Sequence, residues 1–130
     1  MISLQINTKS REAMIDITPL LEDALQAQGV SSGLLLVYAP HTTTGLTINE
    51  GADPDVCRDI LAHLRTMIPN HAEFRHSEGN SDAHIKASLL GSSVQIIVDQ
   101  GHLKLGTWQR VFLGEFDGPR TRNIWCKILS

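Results

Sequence analysis

Three histidines in this chain stand where an imidazole can do chemistry. His41 opens a Thr- and Gly-rich run after an apolar segment, His76 lies in a polar stretch with Glu78 close behind, and His84 follows Asp82 into an apolar segment. None sits on an obvious apolar stripe. Neutral imidazole is a common ligand for zinc and related ions, and catalytic metal sites often combine three protein ligands with one open position. The spacing matches no compact zinc signature such as H-E-x-x-H, so a shared site requires the fold to assemble it. The other reading is that these imidazoles cap turns and bond backbone groups. His63, His71 and His102 lack such company and read as structural or surface residues.

Carboxylates flank the same segments. Asp53 precedes Pro54 and has a sufficient structural duty as a helix N-cap. Glu50 and Glu78 have none evident in the sequence, and either can orient an imidazole or act as a general base. Lys86 and Ser88 follow His84 near a helix start, a ready place for an anionic group, though a solvated lysine reads equally well there. Lys86 therefore joins Glu50 and Glu78 as a catalytic candidate. Asn49, Ser88, Trp108, Gln109 and Arg120 are candidate substrate contacts, Trp108 as a flat stacking surface with one donor. Arg122 shares a strand face with Ile124, Cys126 and Ile128, so its guanidinium needs an internal acid or a phosphate.

The elements that must position these groups follow from periodicity. Ile2, Leu4 and Ile6 alternate with polar residues as a half-buried strand, and a second short strand is expected around Ala13 to Ile17. Thr18-Pro19 starts a helix, with Thr18 as N-cap, and Gly29 ends it. The apolar run Leu34 to Tyr38 suits a strand covered on both faces. From His41 alternation resumes, with Leu46 and Ile48 on one side and Thr43, Thr47 and Asn49 on the other. Asp53-Pro54 starts a second helix whose stripe runs Val56, Cys57, Ile60, Leu61, Leu64, Met67 and Ile68. A polar loop over 70–82 precedes a short helix, His84 to Leu90, with Ser81 or Asp82 as cap and Gly91 as stop. Strands Val94 to Asp99, Gln109 to Phe116 and Thr121 to Leu129 complete an α+β fold: a single compact domain over 1–130, with a mostly antiparallel β-sandwich-like arrangement, two main helices and one short one.

Composition narrows the function classes. A net charge of -3 over 130 residues offers no bulk electrostatic case for nucleic acid. No apolar run is long enough for a membrane span, and no charged-then-apolar leader opens the sequence. Cys57 and Cys126 read as small buried hydrophobes, which fits a reducing, cytoplasmic location.

The run His41-Thr42-Thr43-Thr44-Gly45-Leu46-Thr47-Ile48-Asn49-Glu50 with Asp53-Pro54 resembles the first motif of the YjbQ family. His76, Glu78-Gly79-Asn80 and His84 to Gly91 resemble its second. Gly106 to Gln109, Leu113-Gly114-Glu115 and Asp117 to Arg120 resemble its third. The resemblance implies a homotrimer of compact α+β domains and a divalent metal site, with zinc as the ion, held by His41, His76 and His84. It is also similar to proteins described as secondary thiamine-phosphate synthases, which join a pyrimidine diphosphate to a thiazole phosphate and release pyrophosphate. In that reaction the metal and Lys86 or Arg120 would neutralise the leaving group. Two other readings stand beside it: a metal-dependent hydrolase of small phosphorylated metabolites with Glu50 or Glu78 as base, and a non-catalytic trimeric binding protein.

Overall fold

In the computed structural model, which describes residues 1–71 and 73–130, the polypeptide runs β1 (Ile2–Asn7), β2 (Ala13–Asp16), α1 (Thr18–Gln28), β3 (Gly33–Tyr38), β4 (Thr44–Glu50), α2 (Pro54–Met67), α3 (Ser81–Leu90), β5 (Ser93–Asp99), β6 (His102–Leu103), β7 (Gln109–Glu115) and β8 (Thr121–Leu129). Two sheets form, one in the order β1-β8-β3-β5-β6 and one in the order β2-β7-β4. Every described strand pairing is antiparallel. This is the expected α+β architecture with three helices.

The main core lies where the inward faces of the two sheets meet. Leu35 and Val37 of β3, Ile96 and Val98 of β5 and Ile124 and Cys126 of β8 meet Val111 and Leu113 of β7 and Leu46 of β4. Helix α1 adds Leu21 and Leu25, almost fully enclosed; each such residue contributes roughly 1.5–3 kcal/mol by leaving water. Burial pushes the Cys126 thiol up to about 11, which makes it an inert hydrophobe. Both cysteines are free thiols. No described helix is long and apolar enough to cross a membrane.

The outer face of the small sheet carries α3 and, through a second cluster, α2. Ala83, Ala87 and Phe116 pack there with Leu61, Leu64 and Leu90. Two glycines make the approach possible. Gly45 and Gly114 sit directly opposite each other on β4 and β7. A Cβ at Gly45 would lie 2.5 Å from Leu90 Cβ, and one at Gly114 would lie 2.9 Å from Leu90 Cδ2 and Phe116 Cζ. The glycine pair is the socket into which the last turn of α3 is set.

The structure moves several expected boundaries. Thr18 is not the cap of α1: its hydroxyl accepts from Val111 N–H, and Asp16 takes the Thr18 N–H instead. Helix α3 starts at Ser81, ahead of His84, and Asp82 binds Arg11 and Lys86 rather than capping. Asp53 does cap α2, accepting from Asp55 N–H at 2.9 Å. Strand β3 is covered on one face only. Leu35 and Val37 are buried while Tyr38 stacks openly on Trp125, because α2 and α3 pack on the other sheet.

Substitution of Gly114 by Val should cost about 1–3 kcal/mol by overpacking against Leu90 and Phe116. The measurement is the urea midpoint of unfolding; a midpoint equal to that of the unsubstituted protein would contradict the socket.

Candidate functional site

The cleft begins with an interruption in the large sheet. β3 pairs with β8 up to Tyr38 opposite Trp125. Continued by the same register, Pro40 would face Asn123, and proline has no N–H to offer a ladder. The His41 imidazole takes the vacant place: its Nε2 accepts from Asn123 N–H at 2.9 Å. The same Nε2 lies 3.2 Å from Asn123 O, so the ring spans both backbone polar groups of Asn123. Burial, and then the positive charge of Arg122, hold His41 below its ordinary pKa and favour the neutral ring.

Around His41 opens a cleft of about 410 Å³ whose lining includes His76, Glu78, Asn80, His84, Arg120 and Arg122. His84 comes from the first turn of α3 and His76 from the loop before it. Their rings stand edge to face, with centroids 5.3 Å apart. His76 Nε2 is 3.8 Å from Glu78 Oε2, both open to solvent. Ser88 lines an adjoining hollow with His41 and His84, and its hydroxyl donates to His84 C=O.

The floor is a buried ion pair. Arg122, only 2% exposed, donates from Nε to Glu115 Oε1 at 2.9 Å and from Nη2 to Glu115 Oε2 at 2.6 Å. Nη2 also donates to Thr43 Oγ1. Thr8 Oγ1 and Asp117 N–H donate to the same carboxylate. Burial alone would raise the Glu115 pKa, but these hydrogen bonds outweigh it and hold the carboxyl below its ordinary range. Among the described residues Arg122 Nη1 has no hydrogen-bond partner, and Arg122 lines the cleft. Arg120 is fixed at the rim by Asp117, through the backbone carbonyl oxygen and through Oδ2 at 3.1 Å.

The proposed site residues thus fall into three groups. His41, His76, His84, Glu78 and Arg120 converge on the cleft, with Ser88 beside it. Lys86 does not reach it. This residue is fully enclosed and donates to Glu12 Oε2 at 2.8 Å and Asp82 Oδ2 at 3.1 Å, so it holds α3 in place instead of meeting a phosphate. Asn49, Glu50, Trp108 and Gln109 lie at the far end of the small sheet, where Glu50 pairs with Gln109. At the rise of a strand, Glu50 is roughly 20 Å from the Thr44 end of β4 that borders the cleft. Glu50 has a local duty as well, accepting from the N–H groups of Ala52 and Asp53. Thr43, Asn80 and Asp117 also line the cleft without having been candidates, and Arg122 joins them, paired with the internal acid its strand face requires, Glu115. A usable signal existed for Arg122 and Glu115, opposite charges at inward positions of two otherwise apolar strands.

The donor set fits a metal ion only in part. Two imidazoles on one tetrahedral ion, each at ~2.0–2.1 Å, place their ring centres roughly 5 Å apart, and His76 and His84 have that separation. His41 directs its Nε2 at Asn123 instead. Among the described residues no three His, Cys, Asp or Glu side chains are grouped to hold an ion.

The electrostatics set an acid limit on stability. Glu115 is held below its ordinary pKa, so its contribution is present above about 4.3 and is lost as pH falls through its lower, folded value. His41 is also depressed, so the unfolded state binds its proton first and stability begins to fall below about pH 6.5. Thermal melts from pH 7 to pH 3, a range chosen on the order of these ordinary values, should show both losses. Glu115→Gln should melt lower at neutral pH and lose less in the acid range; an acid loss identical to that of the parent would refute the assignment.

Over residues 2–130 the chain matches the family described as UPF0047 protein YjbQ-like. It is 51% identical to UPF0047 protein YugU of Bacillus subtilis, covering 98% of each chain. It is 51% identical to UPF0047 protein MJ1081 of Methanocaldococcus jannaschii, covering 97% of this chain and 91% of that one. The crystal structure of a yjbq/upf0047 family protein from Clostridium acetobutylicum superposes with a TM-score of 0.96 at 53% identity, covering 99% of this chain and 100% of that chain. Conserved hypothetical protein TT1486 from Thermus thermophilus gives 0.93 at 44%, covering 99% and 100%. The protein belongs to the YjbQ-like UPF0047 family.

Proposed function

We propose that the cleft binds a small phosphorylated metabolite and that the protein is an enzyme of the thiamine-phosphate synthase type. The observation that carries this reading is the Nη1 edge of Arg122. A guanidinium locked on its Nε–Nη2 edge by Glu115, with Nη1 left without a partner among the described residues in a side chain that lines the cleft, is a fixed donor of the kind that recognises an oxyanion. Arg120 at the rim supplies a second cation. In the proposed condensation the thiazole nitrogen attacks the methylene of the pyrimidine diphosphate. The C–N bond forms from the nitrogen lone pair, the C–O bond breaks, and its electrons leave with pyrophosphate. Chemistry of this kind needs positioned donors where negative charge develops. The two arginines fill that role, and His84 adds a donor from its fixed place on α3. A cytoplasmic location belongs to the same proposal, since such metabolites are made and used there.

A second reading, a metal-dependent phosphate-ester hydrolase with Glu78 as base, has one supporting observation, the spacing of His76 and His84. One assay separates the two. Purified protein is given both substrates, and pyrophosphate and phosphate release are followed with and without chelator. The synthase reading expects pyrophosphate release only with both substrates present, and a fall of roughly 10²-fold in kcat/KM for Arg120→Ala and His84→Ala. Phosphate release from one ester alone, abolished by chelator, would replace it with the hydrolase.

The homotrimer is also part of the proposal. On the outer face of the large sheet Ile97, Leu129, Tyr38 and Trp125 remain exposed, large apolar groups of the kind an interface covers. Equilibrium sedimentation should return three times the protomer mass of 14.3 kDa, and a monomer at micromolar concentration would refute it.

A further inference from the structure

Asn80 occupies a helix start and does not use it. Asparagine at an N-cap normally accepts a hydrogen bond from the first turn. Here Asn80 stands at the N-cap of α3 and makes no such bond. Its Nδ2 donates instead to Asp117 Oδ2 at 2.7 Å. Its Oδ1 is enclosed and has no partner among the described residues, although the residue is only 9% exposed. A buried acceptor left without a donor is costly and is usually met by solvent or a ligand.

The surroundings say what would meet it. Asn80 lines the same cleft as Arg120 and Arg122. Asp117 Oδ2 accepts from both Asn80 and Arg120, so one carboxylate sets the positions of the acceptor and of the rim cation. The acidic and basic side chains of the lining are matched, Arg120 and Arg122 against Asp117 and Glu78. A bare anion therefore finds no excess positive charge. A ligand with an oxyanion at one end and a neutral O–H or N–H at the other satisfies both Arg122 Nη1 and Asn80 Oδ1.

We propose that Asn80 is a specificity residue that accepts a hydrogen bond from the substrate, so that the cleft selects phosphate monoesters carrying a hydroxyl or amino donor over esters with none. This rests on the reading of the cleft as a phosphate site. Removal of Oδ1 lowers the affinity of donor-bearing esters relative to donor-free ones.

The test is calorimetric titration of the full-length protein with inorganic phosphate, glycerol phosphate and propyl phosphate. The two esters are close in size and charge and differ in their hydroxyls. Glycerol phosphate should bind about tenfold tighter than propyl phosphate, the order expected for one buried hydrogen bond. In Asn80→Leu the ratio of the two ester affinities should fall to about one, and inorganic phosphate reads separately any shift of Arg120 that follows loss of the Asn80–Asp117 bond. Asn80→Ser, which returns a capping hydroxyl to α3 but lacks Oδ1, gives the same readout where the leucine variant does not fold. Equal affinities for the two esters in the parent protein, or a preference that survives substitution, would overturn the inference while leaving phosphate binding in place. Failure of all three probes to bind would remove the phosphate reading and the inference with it.

Discussion

The Arg122–Glu115 pair is the constraint on which the rest of this structure depends. Arg122 belongs to β8 of the large sheet and Glu115 to β7 of the small one. Bringing both charges out of water costs several kcal/mol per ion in order of magnitude, and mutual attraction offsets that only with good geometry and further hydrogen bonds. The geometry is supplied by two guanidinium–carboxylate contacts, and by Thr43, Thr8 and the Asp117 N–H. Four separate segments therefore meet at one polar point at the end of an apolar core. An apolar pair of similar volume could close the sheets as well. It could not present Nη1 to a cleft, and position, rather than stability, is what the ion pair supplies.

A second polar knot fixes α3. Lys86 lies between Asp82 and Glu12, and Arg11 and Arg65 complete the pairing of those carboxylates. Burial would raise the Glu12 and Asp82 pKa values, yet hydrogen bonds from their cationic partners hold both below the usual range. The knot ties α3 to α2 and to the connection before β2, while Gly45 and Gly114 admit Leu90 on the sheet. His84 and Asn80 thus inherit their positions from a helix held at both ends. His76 and Glu78 lie in a turn with fewer ties, so within one cleft the groups differ in how firmly they are placed.

Much of the fold was legible because its signals are local. The β1 alternation, the Asp53-Pro54 start and the Gly29 stop each follow from one or two residues, and all three stand in the structure. The convergence of His41, His76 and His84 was visible only as company, since its cause is tertiary. Lys86 shows the limit most clearly. Asp82, four residues earlier, signals a helical ion pair, but the other carboxylate, Glu12, is far away in sequence, so the enclosure of Lys86 is not readable locally. Asn49, Glu50, Trp108 and Gln109 stand apart from the cleft for a different reason. Motif resemblance says that residues matter and not which end of a strand they occupy. The strand rise already separates Glu50 from His41. Arg122 and Glu115 were readable as a pair, because an inward charge on an apolar strand face demands an opposite one.

The charge balance of the cleft decides what kind of recognition it can perform. The protein has a net charge of -3, and the cations of the lining are offset by Asp117 and Glu78. Long-range steering of an anion needs a field of one sign, which such a lining does not produce. Attraction must then come at contact, from donors whose partners already fix them and which need no reorganisation when a ligand arrives. Arg122 meets that condition through Glu115 and Thr43, and Arg120 meets it through Asp117. The same carboxylates that cancel the field therefore hold the donors in place. A cleft built this way gives up capture range and gains discrimination, because only a ligand matching the positions of donors and acceptors recovers what it loses in leaving water.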